Sequence, residues 1–287
     1  MSGSREAEPE LTARETAQVE RANASDRTPV VFIHGLWALS NVWDEWAGCF
    51  EEAGYIALTP GWPDDPETVA EARERPAVFA GKRVERLASH FEAVGGRLGR
   101  KPVVVGHSFG GLLAQILAGR GRAAVSVAIS PAPFRGVLPE PISMVRSALP
   151  VLRNPANRRR AVSLTYEQFR YSVANATDER EAAELFARYA VPAGGRALFE
   201  DALANINPWT EAKVDSKNPA RGPLLIIAGA KDRFIPSAVT RSAYKRQRRN
   251  DAVTEFAELP GRGHSLTIDA GWREVAETAL GFIRRFE

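Results

Sequence analysis

The stretch Val103-Val104-Val105-Gly106-His107-Ser108-Phe109-Gly110-Gly111, continuing as Leu112-Leu113-Ala114-Gln115-Ile116-Leu117, decides how the rest of this 287-residue chain is read. A run of β-branched residues ends in a small-x-Ser-x-small pentapeptide and passes at once into apolar residues at helical spacing, so it predicts strand, sharp turn and helix. Ser108 stands at the turn. A residue on so tight a turn lifts its side chain clear of the sheet, provided that its neighbours two positions away lack bulk, and Gly106 and Gly110 meet that need. The helix that follows aims its free N–H groups and positive dipole end at the space beside Ser108.

Gly106-His107-Ser108-Phe109-Gly110 resembles the nucleophile elbow of the α/β-hydrolase family, and two further motifs follow in the family's chain order. After the apolar run Pro223 to Ile227 comes Gly229-Ala230-Lys231-Asp232-Arg233-Phe234-Ile235-Pro236, which is similar to the family's acid-bearing Gly-x-x-Asp-x-x-[Ile/Val]-Pro. Gly261-Arg262-Gly263-His264 then follows the last strand and precedes the last helix. The resemblance implies a catalytic triad of Ser108, Asp232 and His264. It also implies an oxyanion hole made by the backbone N–H groups of Leu36 and Phe109, since Pro29 to Ile33 reads as a buried strand ending in the glycine turn His34-Gly35-Leu36-Trp37. Some relatives place the acid at the end of the strand after the nucleophile helix, but Ser130 and Pro131 occupy that point here. Such a triad needs neither a metal nor an organic cofactor.

The implied fold is α/β, with a mostly parallel central sheet flanked by helices. Strands are expected at Tyr55 to Leu58, Val125 to Ile129 and Val253 to Leu259. Helices are expected from a Ser40 cap to Gly54, along the stripe Val84, Leu87, Phe91, Val94 and Leu98, over Ser237 to Arg249, and at the C-terminus. His90 lies off its helix's apolar stripe and reads as exposed. Between residues 135 and 220 the strand pattern gives way to proline, glycine and helical stretches. The family commonly carries a helical lid there, after the sixth strand of its order, so the expected division is a core of 29–134 and 221–287 with a lid of 135–220. Trp37, His107, Phe134, Tyr166 and Phe169 are the candidate pocket residues, with Tyr171 and Trp209 as further lid aromatics.

Residues 1–28 contain helix formers but few large apolar side chains, and read as a polar tail or a loosely attached helix. No alternating segment there supplies the antiparallel strand pair that usually opens the family's sheet. The net charge of +3 is spread through mixed-sign sequence, which speaks against a nucleic-acid partner. Lys245-Arg246-Gln247-Arg248-Arg249 is the exception, and reads as the solvated face of a helix. Cys49 is the only cysteine, so the chain forms no internal disulfide. The first residues have no apolar leader core and no stretch is apolar enough to span a bilayer, from which a cytoplasmic protein is expected.

These features point to a serine esterase or lipase-like enzyme acting on a small to medium apolar ester. Lactone hydrolysis and cofactor-free perhydrolase chemistry use the same fold and triad, and a third alternative is a receptor that keeps the triad but only binds its ligand. Relatives that cleave carbon–halogen bonds carry Asp at the elbow, so Ser108 speaks against that activity.

Overall fold

The computed structural model describes residues 10–137 and 142–286. Among the described residues eight strands occur in chain order: β1 Pro29–Ile33, β2 Ile56–Leu58, β3 Val103–His107, β4 Val125–Ile129, β5 Ala161–Val162, β6 Ala193–Gly194, β7 Leu224–Gly229 and β8 Thr254–Leu259. Six of them form one sheet in the order β2-β1-β3-β4-β7-β8, parallel throughout. Strands β1, β4 and β7, apolar but for Ser126 in β4, are buried along their whole length, as strands covered by helices on both faces must be. Helix Phe109–Gly119, the crossover from β3 to β4, is likewise buried at every position, which explains why it carries no polar stripe.

From β1 the chain turns to one side of the sheet to make β2, and from β3 it turns to the other to make β4, β7 and β8. The carboxyl ends of β1 and β3 therefore flank a topological switch point, where open α/β sheets place their ligand crevice. Both the His34–Trp37 turn and Ser108 lie there.

Between β4 and β7 the chain makes a long excursion built of helices Ile142–Leu152, Tyr166–Ser172, Glu179–Tyr189 and Gly195–Ala202, with β5 and β6 paired as a two-residue antiparallel ribbon. Thr165 opens the second of these helices with a reciprocal capping box to Gln168. Asp178 caps the third by accepting the Glu181 N–H at 2.8 Å, while the Glu181 carboxylate accepts the N–H of Ala270 at 2.5 Å instead of closing a box. That bond ties the excursion to the segment after β8.

Three expectations need correction. The described part of the N-terminal segment, residues 10–28, is no loose tail: Thr12 caps a helix at Ala13–Asn23, and its Val19 and Ala22 are buried in the main core. Arg21 Nη2 donates to the Ala57 carbonyl at 2.6 Å and Arg14 Nη2 to that of Thr59 at 3.1 Å. The helix thus covers an edge strand that would otherwise expose unpaired backbone. His90, expected at the surface, is buried, with Nε2 2.9 Å from the buried Glu15 carboxylate of that same helix. Ser40 is not a helix cap; the chain enters a short 3-10 turn at Ser40–Trp43 before helix Asp44–Glu52, and Leu39 at its start makes no side-chain cap.

Candidate active site

Ser108 has φ 56° and ψ −119°, a region that L-residues occupy only when their surroundings hold them there. Neighbours at both ends of the turn enforce it. A Cβ on Gly106 would stand 2.1 Å from the Gly110 carbonyl oxygen, and one on Gly110 would stand 2.0 Å from that of Ile33. Strand and helix can approach this closely only through glycine. The Ser108 N–H donates to Ile129 O at 2.9 Å and its carbonyl accepts from Gly111 and Ala132, each at 2.9 Å, so the turn is bonded on both sides.

The structure brings Ser108, Asp232 and His264 together from three separate loops. His264 Nε2 lies 3.0 Å from Ser108 Oγ, and Nδ1 lies 2.8 Å from Asp232 Oδ2. The other Asp232 oxygen, Oδ1, accepts the N–H groups of Phe234 and Ile235, both at 2.8 Å. All three side chains are almost fully buried. A carboxylate so engaged can only accept, so Nδ1 carries the imidazole proton and Nε2 is left to accept from the Ser108 hydroxyl. The ring is held by Phe234 at 5.0 Å and by His107 at 4.7 Å between centroids. Burial, and then the neighbouring His264, push the His107 imidazole well below its ordinary value, so it is neutral at pH 7.

The turn after β1 is braced from beneath. His34 Nδ1 lies 2.9 Å from the Gly35 carbonyl, and its ring stacks on Trp62 at 4.9 Å. Its Nε2 lies 3.2 Å from Asp65 Oδ2, without the alignment of a hydrogen bond. Asp65 also pairs with the buried Lys82. Burial alone would raise the Asp65 carboxyl, but His34 and Lys82 outweigh it and hold the group below its ordinary value.

A pocket enclosing roughly 550 Å³ together with its mouth opens over Ser108 and His264. Leu36, Trp37, His107 and Phe169 line it, joined by Val173, Tyr189, Phe234 and Ile268, which the sequence reading had not singled out. Phe234 and Ile268 lie two and four residues beyond Asp232 and His264, which is the only signal the sequence held for them. Two candidates fall outside. Phe134 is turned into the core by the Pro131-Ala132-Pro133 segment, and Tyr166, at the first position of its helix, faces Glu179 and Phe186 while Phe169 takes the inner side. Tyr171 packs under Arg146 and Arg233, and Trp209 is 85% exposed. Among the described residues no group of three or more His, Cys, Asp and Glu side chains is placed to hold a metal ion.

The Alpha/beta hydrolase family model matches residues 30–278. The chain belongs to the α/β-hydrolase family. This α/β hydrolase is similar in fold to a monoacylglycerol lipase from Paleococcus ferrophilus, with a TM-score of 0.61, 18% identity, and 90% of this chain and 95% of that one covered. It is similar also to a pyrethroid hydrolase from Sphingobium faniae, with a TM-score of 0.62, 17% identity and coverage of 89% and 96%. A methylesterase from Arabidopsis gives a TM-score of 0.62 at 16% identity over 90% of this hydrolase and 98% of the plant protein. Identities this low establish a common fold. A search of curated proteins finds no match.

Proposed function

We propose that this α/β hydrolase cleaves carboxylic esters through an acyl-enzyme on Ser108. One observation carries the reading: a strained serine joined through a single imidazole to a carboxylate, Ser108 Oγ to His264 Nε2 at 3.0 Å and His264 Nδ1 to Asp232 at 2.8 Å. In this mechanism Ser108 Oγ attacks the ester carbonyl carbon while His264 Nε2 takes its proton. The N–H groups of Leu36 and Phe109 stabilise the oxyanion, and the buried Asp232 stabilises the imidazolium. Collapse of the tetrahedral intermediate breaks the bond to the alkoxy group, which leaves with the proton from His264. Water then adds to the acyl carbon with His264 as base, and its collapse releases the acid and restores Ser108.

The pocket suits a small to medium apolar ester. Its walls are aromatic and aliphatic, and the excursion between β4 and β7 contributes Phe169, Val173 and Tyr189 to them, which is the part a lid plays. Similarity in fold to a lipase and a methylesterase agrees with this chemistry.

Intact mass after incubation with a fluorophosphonate tests the proposal, with Ser108→Ala alongside. A single adduct on the parent and none on the variant, together with repeated turnover of p-nitrophenyl esters, is the expected result. An unmodified, folded parent that binds esters without turning them over would replace ester hydrolysis with a receptor role.

A further inference from the structure

The excursion carries exposed apolar and basic side chains that the catalytic mechanism does not use. From residue 142 to 166 the chain holds five arginines, Arg146, Arg153, Arg158, Arg159 and Arg160, and no acidic residue. All five are exposed, and among the described residues none is ion-paired. On helix Ile142–Leu152 the exposed apolar side chains are Ile142 at 87%, Val145 at 50% and Leu149 at 50%. Positions 142, 145, 146, 149 and 153 fall within an arc of about 100° at helical spacing, so the apolar stripe and two of the arginines share one face. Ser147, Ala148 and Val151 bury the opposite side.

The charge is unevenly spread along the excursion. Of its ten acids, Glu140 precedes the helix, Glu167, Asp178, Glu179, Glu181 and Glu184 belong to the next two helices and their approaches, where Arg170 pairs with Glu179 and Arg180 with Glu184, and Glu200, Asp201, Glu211 and Asp215 lie further on. The basic face also adjoins the site. Arg146 and Arg233 pack on the same Tyr171 ring at 4.1 and 5.1 Å, Ser147 Oγ donates to the Arg233 carbonyl at 3.3 Å, and Arg233 follows Asp232 directly.

From this placement we infer that helix 142–152 and the arginines after it dock on an anionic phospholipid bilayer, with Ile142, Val145 and Leu149 entering the interface and the guanidinium groups lying among the headgroups. Exposed aliphatic side chains flanked by arginines that have no ion pair among the described residues match both layers of such a surface, its apolar boundary and its negative charge. A second copy of the chain is disfavoured, because pairing these faces would bring like charges together. A nucleic acid would use the arginines but leave the apolar stripe in water. The inference does not rest on ester hydrolysis, and Ser108→Ala binds as the parent does.

Co-sedimentation of the full chain with vesicles tests it. Vesicles of equal parts phosphatidylcholine and phosphatidylglycerol should carry the protein down and pure phosphatidylcholine vesicles should not, with binding falling as salt is raised. The triple variant Arg158→Glu, Arg159→Glu, Arg160→Glu should lose affinity by at least a factor on the order of a hundred. Val145→Ser with Leu149→Ser should lose about tenfold or more while keeping the parent's melting temperature, since both side chains are half exposed. No binding to the anionic vesicles overturns the inference. So does vesicle binding that the serine variant leaves intact and a DNA duplex abolishes, which would mark a general polyanion site. A concentration-dependent dimer that the serine variant dissolves would assign the stripe to a second copy and equally overturn it.

Discussion

The indole N–H of Trp37 donates to the Val162 carbonyl at 2.9 Å, fastening the turn after β1 to the β5–β6 ribbon. The Trp37 carbonyl accepts from Val191 N at 3.3 Å, and the residue itself sits at φ 59°. The turn expected to present the Leu36 N–H to substrate is therefore set in part by the helical excursion. Trp37→Phe keeps an aromatic ring against Phe234 but leaves Val162 O without its donor. A loss of about 1–2 kcal/mol is expected from one broken, partly buried hydrogen bond. If that loss falls on the geometry of the turn, kcat should drop about tenfold with little change in KM, read with a p-nitrophenyl ester. Unchanged kcat with a lowered melting temperature would make the bond purely structural.

The strain at Ser108 separates stability from chemistry. Ser108→Ala removes Oγ yet keeps a Cβ at φ 56°, whereas Ser108→Gly removes the Cβ as well. Relief of a conformation costing about 1–3 kcal/mol exceeds the entropic cost of glycine, so Ser108→Gly should unfold at higher denaturant than Ser108→Ala by about 1 kcal/mol. Neither variant should turn over esters. Equal stabilities would show that the surrounding bonds, and not the side chain, hold the turn.

Asp232→Asn replaces an acceptor by a group that can donate to Nδ1, and so favours the tautomer with the proton on Nε2, facing Ser108. A fall in kcat of about 10⁴ is expected from that inversion. The melting temperature should change far less than activity, because Oδ1 can still accept from Phe234 and Ile235. A rate near that of the parent would assign the orienting role to another carboxylate.

Much of this arrangement was legible in the sequence because its physics is local. Buried parallel strands need continuous apolar runs, as in Val30 to Ile33 and Leu224 to Ile227, and an elbow as tight as that at Ser108 needs glycine at 106 and 110. What escaped depends on contacts distant in sequence. Helix 13–23 has only a narrow apolar stripe, and much of its anchoring is polar: Glu15 to His90, Arg14 to Thr59 and Arg21 to Ala57. His90 read as exposed for the same reason, since its partner lies 75 residues earlier. The pocket was legible only in part, because which of Tyr166 and Phe169 faces inward depends on how their helix is rotated against its neighbours.

The N-terminal helix is accordingly expected to stabilise the fold. Removing residues through Asn23 strips the edge of β2 and takes Val19 and Ala22 out of the core, a loss of at least about 2 kcal/mol given the burial of one valine side chain alone. Burial alone would raise the Glu15 carboxyl, but His90 and Thr12 outweigh it and lower the value. A carboxyl lowered on folding stabilises above its unfolded value of about 4.5 and loses that contribution as the pH falls further. Glu15→Gln should therefore flatten the acid limb of the stability curve, measured by urea titration from neutral pH downward. A truncated chain as stable as the parent would show that the helix rests on the core without supporting it.

Asp201 has the opposite sign. Burial on helix 195–202 raises its carboxyl well above the ordinary value, and its Oδ1 is buried without a hydrogen-bond partner among the described residues. A carboxyl raised on folding stabilises fully below its unfolded value of about 3.9, and its contribution is lost as the pH rises through the folded value. Asp201→Asn keeps the volume and cannot ionise. At neutral pH the variant should be more stable than the parent, because the parent must take up a proton or bury a charge on folding and the amide does neither. In acid it should match the parent, so the two denaturation midpoints diverge as the pH is raised. A variant less stable than the parent at every pH would mean that the acid form makes a hydrogen bond that the amide cannot replace.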